Sequence, residues 1–499
     1  MEEVLDSYGR VKILSRGKAD FPKYVVSLPE FTDVEQKIIA DSRSLIKDIR
    51  PITESLKSIR TNEQKEEYLK DYIRERLKEK RSKITNLEEL VTTIVDNTFM
   101  GYGRISPLMH DDQLEEIMIN SINQPVYVVH RKAGMCESNI VFEDSASIDE
   151  LIGWLAKHAG RDVSDKMPLL DAHMPDGSRA NVAVPPAAPN GPAITIRKFK
   201  NIPFNIIDLI HLKTVNPEVA AFMWLCVEGF GINPVNMIIS GGAGSGKTTL
   251  LNALAMFIPQ TERVVTVEDT LELNFQFLRN IVPLEATPSV VTADNTLSMH
   301  SLLKNSLRMR PDRVIVGEVR GEEAETLLVA MDIGLLGSMG TIHANNARET
   351  TIRLMEEPMN VPIRMIPLID IIIVLNRIYD RRMGMIRRVT QVAEIGGIEG
   401  EVVQMGDVYS WDINTDAIRR TEFPIILLEK IARAVGMTKK RIQTELIIRQ
   451  RILEYMVATK VEKNADVLRF FQSYHNDPRL VIDEIRSKNH PIEQPELTQ

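Results

Sequence analysis

The sequence predicts an α/β protein of more than one domain, organised around a parallel sheet, and three observations carry that reading. After Glu218, apolar strand-like runs alternate with helix-forming stretches, the order of a parallel sheet covered on both faces. One such run, Asn236-Met-Ile-Ile-Ser240, feeds directly into a glycine-rich loop that ends in Lys247-Thr248 and is followed by the helix-forming Leu250-Leu-Asn-Ala-Leu-Ala-Met256. The length, 499 residues, suits two or three domains with substantial cores.

Residues 1–30 show no convincing periodicity and read as an arm, flexible or ordered against a partner. From Phe31 to about Asn97 apolar residues such as Leu45, Ile46, Ile49, Leu56 and Ile59 recur at three- and four-residue steps, which predicts a set of helices. The dense charge over Gln64 to Ile84 is read as the solvated face of one of them. Between Gly101 and Lys200 the texture changes to short β-like runs, Glu116–Asn120, Val126–His130, Asn139–Phe142, Arg179–Val184 and Ala193–Lys198, with an amphipathic helix over Ile148–His158. Lys198 to Asn216 reads as a connector carrying Pro203. Strands are then expected at Asn236–Ser240, Arg263–Val267 and Arg313–Gly317, a β-meander over Ile371–Tyr379 and Ile386–Ile395, and charged helices from Pro424 to Ser487. The predicted division is an arm and helical bundle over 1–100, an α/β domain over 101–200, a linker over 201–216, a nucleotide-binding domain over 217–420, a helical region over 421–488 and a disordered tail over 489–499.

Composition narrows the partners. A net charge of −8 with no strongly basic region argues against nucleic acid. Cys136 and Cys226 lie far apart with no C-x-x-C spacing, so neither a disulfide framework nor a cysteine zinc site is expected, and a reducing, cytosolic compartment fits. The longest apolar run, near Ile366 to Leu375, is broken by Pro367 and Asp370, and the chain opens Met1-Glu-Glu, so neither a membrane span nor a signal peptide is expected. Contact with a membrane is then expected through partners alone.

The loop Gly241-Gly242-Ala243-Gly244-Ser245-Gly246-Lys247-Thr248-Thr249 has the G-x-x-x-x-G-K-[ST] spacing of a phosphate cradle. Glycines let the backbone amides turn inward, and the following helix adds the positive end of its dipole. Lys247 is expected on the β- and γ-phosphates of ATP and the Thr248 hydroxyl on Mg2+. Two acidic strand ends supply the rest. Arg263-Val-Val-Thr-Val267 runs into Glu268-Asp269-Thr270-Leu271-Glu272, where Glu268 is expected to align the attacking water, with Glu272 next in line and Asp269 either at the nucleotide or capping the following segment. Arg313-Val-Ile-Val-Gly317-Glu318 resembles a Walker B strand in which Gly317 stands where aspartate is usual, leaving Glu318 to hold the metal through water or polarise the nucleophile. His343, after Gly337-Ser-Met-Gly-Thr341-Ile342, is expected to contact the γ-phosphate or the water, held by Thr341 and Asn345. Arg179, Arg197 and Arg320 are the candidate cations for the developing charge.

Taken in order, the glycine loop, the acidic box Glu268–Glu272, the atypical Walker B ending Val316-Gly317-Glu318 and the histidine box around His343 resemble the secretion ATPase superfamily of type II and type IV secretion, type IV pili and archaeal flagella. Pro175-Asp-Gly-Ser-Arg179 and Ile196-Arg-Lys-Phe199 extend the likeness over residues 100–400, with Leu271 standing where relatives often have proline. The resemblance implies a RecA-like P-loop ATPase domain, a separate N-terminal α/β (PAS-like) domain, and a homohexamer with nucleotide between them. It further implies docking on a polytopic membrane platform protein and accessory motor proteins at the cytoplasmic face. Thr341-Ile-His-Ala-Asn345, Leu307-Arg-Met-Arg-Pro-Asp312, the lack of a tetracysteine zinc site and the long helical segment before Gly101 are similar to archaellum motor ATPases. An archaeal pilus or secretion ATPase is the alternative; a nucleic-acid translocase and a non-catalytic nucleotide switch are further rivals.

Overall fold

The computed structural model describes residues 3–17, 20–42, 52, 54–56, 59, 62–78, 84–198, 203–286, 297–380 and 384–488. The tail at 489–499, Leu45, Ile46 and Ile49 of the first expected helix, and Phe199 lie outside them. The chain divides into two compact units, Met1–Asn201 and Ile202–Gln499.

Unit 1 is one nine-stranded sheet in the order β1-β2-β3-β6-β5-β4-β9-β8-β7. Its strands are β1 (Glu3–Tyr8), β2 (Val11–Ser15), β3 (Lys23–Val26), β4 (Leu114–Ile119), β5 (Pro125–His130), β6 (Gly134–Val141), β7 (Leu169–His173), β8 (Arg179–Ala183) and β9 (Ala193–Arg197). The first three differ from the arm the sequence predicts. They are only four to six residues long, too short for a window to register, yet Val11, Ile13, Tyr24 and Val26 alternate inward as a half-buried strand requires. Asp111 fastens them, accepting from the Tyr8 hydroxyl at 2.8 Å and the Tyr24 hydroxyl at 2.6 Å. Helices α1 (Asp33–Ala40), α2 (Asn62–Leu77) and α3 (Leu87–Val95) belong to the same core, through Ile38, Leu69, Ile73, Leu77 and Leu90. A further helix, α4 (Ser145–Ala159), starts at the Asp144 cap and stops at Gly160.

Unit 2 holds a second nine-stranded sheet, β12-β11-β13-β14-β10-β15-β16-β17-β18. Here β10 is Met237–Gly241, β11 Arg263–Glu268, β12 Asn280–Glu285, β13 Arg313–Val319, β14 Met339–Ile342 and β15 Ile371–Asp380, all parallel to their neighbours in that group. The expected meander, β16 (Gly384–Glu399), β17 (Val402–Asp412) and β18 (Ala417–Arg420), continues the same sheet antiparallel from β15. One face carries α5 (Ile206–His211), α6 (Pro217–Glu228), α7 (Lys247–Ala255) and the C-terminal helices; the other carries α8 (Met299–Ser306), α9 (Glu323–Asp332) and α10 (Ala347–Met355).

Two expectations shift here. Residues 206–211 of the expected linker form α5, whose Ile206, Ile207, Leu209 and Ile210 are buried in the unit 2 core. Pro203 is held as well, its carbonyl accepting from Asn464 Nδ2 at 3.0 Å. The C-terminal helices α11 (Leu427–Ala434), α12 (Lys439–Ala458), α13 (Asn464–Asn476) and α14 (Pro478–Ser487) share one core with the sheet. Buried Arg449 on α12 joins Glu228 at 2.7 Å and Glu445 at 2.6 Å among the rings of Trp224, Phe230 and Tyr474.

Candidate functional site

Parallel strands carry their loops at one edge, so β10, β11, β13 and β14 deliver the glycine loop, the acidic box, Glu318 and His343 to the carboxyl end of one sheet. The loop is a cradle by shape. Gly244 and Gly246 have φ of +66° and +100°, which L side chains rarely adopt, and a Cβ at Gly241 would come within 2.4 Å of the Leu375 carbonyl and the Ser245 hydroxyl. The Ser245 hydroxyl is buried without a hydrogen-bond partner among the described residues, and the Lys247 ammonium donates to the carbonyls of Gly241 at 2.9 Å and Gly242 at 3.2 Å. Burial lowers the Lys247 pKa, opposed by the charges of Glu318 and Glu272. A buried cation, an orphan hydroxyl and glycine amides at a helix start fit a polyphosphate.

The two glutamates of the acidic box turn different ways. Glu268 is 2% exposed, and its Oε2 accepts from the backbone N–H of Glu272 at 2.7 Å and of Leu273 at 2.9 Å. Through that oxygen Glu268 folds the box back on itself. Glu272 is the carboxylate turned to the loop, accepting from the Thr248 hydroxyl at 3.3 Å. The Thr248–Glu272 pair has the oxygen donors that a magnesium ion prefers. Among the described residues no cluster of three or more His, Cys, Asp and Glu could hold a metal by itself.

The glycine of the Walker B strand has a spatial cause. An added Cβ at Gly317 would meet Glu268 Cγ at 2.8 Å and its Oε2 at 3.3 Å, so the buried Glu268 occupies the room an aspartate would need. Thr341 secures the same point, donating to the Gly317 carbonyl at 2.6 Å. One residue on, Glu318 accepts from Arg320 Nη2 at 2.5 Å, while Arg320 Nη1 lies 3.5 Å from Asp269 Oδ2. Asp269 thus faces Arg320, and the guanidinium pKa is raised, first by its bond to Glu318.

His343 is exposed just past β14. The companions expected to hold it are engaged elsewhere, Thr341 with Gly317 and Asn345 with Glu349 at 2.9 Å from its backbone N–H. Arg353 donates to the His343 carbonyl. Asn345 still brings the box to the loop, its Oδ1 3.8 Å from a Cβ placed on Gly242. In unit 1, Arg179 and Arg197 stand directly opposite each other on β8 and β9.

Two residues escaped the sequence reading. Arg387 Nε donates to the Gly244 carbonyl at 2.9 Å, and Arg377 Nη1 lies 3.3 Å from a Cβ placed on Gly244. No motif marks them; only the β15–β16 pairing, in which Arg377 is opposite Arg387, brings both to the loop.

A phosphate cradle on β10 flanked by acidic strand ends on β11 and β13 defines a P-loop protein of RecA-like core. The family model for type II/IV secretion system proteins matches residues 100–392, and the chain belongs to that family. It is 35% identical over 376 residues to MJ0900, an uncharacterised protein of Methanocaldococcus jannaschii, covering 74% of this chain and 66% of that one. Protein VirB11 of Agrobacterium fabrum is 31% identical over 272 residues, 48% of this chain and 74% of its own. MJ0781 of Methanocaldococcus jannaschii is 46% identical over 247 residues, 48% of this chain, but the match spans only 34% of that longer protein. Among solved structures the pilus retraction motor PilT with bound ADP is 18% identical, covers 70% of this chain and 92% of its own, and has a TM-score of 0.44. Cys136 and Cys226 are both buried, and no helix among the described residues is long and apolar enough to cross a membrane.

Proposed function

We propose that the protein hydrolyses ATP with magnesium and converts the cycle into mechanical work on a filament or secretion assembly. The observation that carries this is the convergence on the glycine loop of Lys247, the Thr248–Glu272 pair and the Arg320-bound Glu318.

In this reading the amides of Gly244 to Thr248 and Lys247 hold the β- and γ-phosphates, and Thr249 continues the helix start toward the phosphate chain. Thr248 and Glu272, with Glu318 through water, would hold magnesium, which would supply neutralisation of the phosphate charge. Glu318 polarises the attacking water once Arg320 exchanges its carboxylate for the γ-phosphate, and His343 senses the same phosphate from β14.

Family membership supports a motor of the type II/IV secretion kind, and the proposal extends this to a homohexamer on the cytoplasmic face of a membrane, docked on a platform protein with accessory motor proteins. The long helical segment before Gly101 favours an archaellum motor over an archaeal pilus or secretion ATPase. A Mycobacterium tuberculosis relative named for conjugal transfer, 31% identical over 277 residues, favours a nucleic-acid translocase of the conjugation type as the second reading. Lys247→Ala is expected to abolish ATP turnover, and turnover near the wild-type rate refutes the assignment of the loop.

A further inference from the structure

The strand order separates two sides of the glycine loop. Glu268, Glu272, Glu318 and His343 come from β11, β13 and β14, all on one side of β10, whereas β15 and β16 lie on the other. Gly241 is in register with Leu375, and β15 runs on to Asp380, so the β15–β16 hairpin continues past the sheet edge alongside the loop. Arg377 and Arg387 stand opposite each other on that hairpin.

Like charges directly opposite on paired strands repel. Two neighbouring arginines are neutralised: Arg388 by Asp416 at 2.7 Å and Arg320 by Glu318 at 2.5 Å. Neither Arg377 nor Arg387 has a carboxylate partner among the described residues, and both are exposed beside Gly244. Arg387 Cδ and Leu375 Cδ2 also lie 3.6 and 3.8 Å from a Cβ placed on Gly246, which makes a partly apolar wall at the helix start.

A triphosphate whose γ end points to the acidic strand ends must direct its nucleoside toward β15 and β16. We infer that Arg377 and Arg387 form the nucleoside side of the site, a guanidinium lying flat on the base with the pair reaching the ribose hydroxyls. Planar guanidinium groups suit both contacts. This rests on the ATP-binding reading above and extends it to the residues that distinguish a nucleotide from a bare polyphosphate.

The test is equilibrium binding of Mg-ATP and of inorganic tripolyphosphate to the full chain, comparing wild type, Arg377→Ala, Arg387→Ala, Arg387→Lys and Lys247→Ala. The arginine-to-alanine variants are expected to bind ATP roughly five- to tenfold more weakly and tripolyphosphate within about twofold of wild type. Arg387→Lys, which keeps charge but no planar face, is expected to stay near the alanine value. Lys247→Ala is expected to weaken both ligands. Equal losses of ATP and tripolyphosphate in the arginine variants overturn the inference in favour of a phosphate contact, and unchanged ATP affinity overturns it outright. A wild type that binds neither ligand, or a Lys247→Ala that binds both normally, refutes the loop reading itself. Unshifted melting curves for the two exposed arginine sites identify a loss of affinity as a lost contact.

Discussion

Gly317→Ala adds one methyl group at the point where the Walker B strand passes Glu268. The new Cβ would lie 2.8 Å from Glu268 Cγ, against the roughly 3.5–4.0 Å of a comfortable carbon contact. Glu268 must therefore retreat by about 1 Å. Its Oε2 holds two backbone amides at 2.7 and 2.9 Å, and such a retreat stretches both beyond hydrogen-bond reach. Overpacking of this kind costs about 1–3 kcal/mol and a lost bond to a charged group about 1.5–3 kcal/mol, so partial relaxation leaves a net loss of about 2–4 kcal/mol. Urea unfolding followed through Trp224, which stacks on Phe257 in the unit 2 core, reads that loss. Amide exchange at Glu272 and Leu273 should accelerate with it. Glu268→Ala removes the colliding atoms, so the double variant should fall short of the summed single losses by about 1 kcal/mol or more. Strict additivity, or a Gly317→Ala protein with wild-type stability and unchanged exchange at those amides, refutes the claim that Glu268 dictates the glycine.

Arg449→Met leaves Glu228 and Glu445 facing each other without their cation in a buried setting, and should cost about 3–5 kcal/mol in urea unfolding while leaving ATP affinity of the folded protein unchanged. In unit 1, burial pulls the His110 pKa down, but its bond to Asp96 at 2.9 Å and that carboxylate's charge outweigh burial and leave the pKa above the ordinary 6.5. A raised folded pKa means the contribution is complete below about pH 6.5 and fades as pH rises through the folded value. His110→Gln should therefore narrow the stability gap between pH 6 and pH 8.5, and an unchanged gap counts against the pairing.

Much of the site was legible because its chemistry lives in short contiguous signals. The glycine loop and the strand before it declare a phosphate cradle through spacing alone, and Glu318 is marked by the strand it follows. Sequence ranked Glu268 ahead of Glu272 for the attacking water without knowing which way either side chain turns. Both are carboxylates after one strand, and only the turn that points Glu268 inward and Glu272 at Thr248 separates them. Arg377 and Arg387 were hidden for a different reason, since they meet through cross-strand register, which a bulge near Val374 and Leu375 shifts by a residue. The first three strands were missed because they are only four to six residues long, with two buried side chains each in β2 and β3 and none in β1, which gives no measurable period. The linker was read too long because Pro203 and Asn205 look like loop punctuation, whereas Asn205 is the N-cap of α5 and donates to Glu462 at 2.9 Å.

The most direct test of the central claim is single-turnover hydrolysis of Mg-ATP by wild type, Lys247→Ala and Glu318→Gln, with nucleotide binding measured on the same samples. The account predicts ADP release by wild type, neither tight binding nor turnover by Lys247→Ala, and near-normal binding without turnover by Glu318→Gln. Hydrolysis by Glu318→Gln at the wild-type rate, or a collapse of its ATP affinity, contradicts the role given to the Walker B strand end.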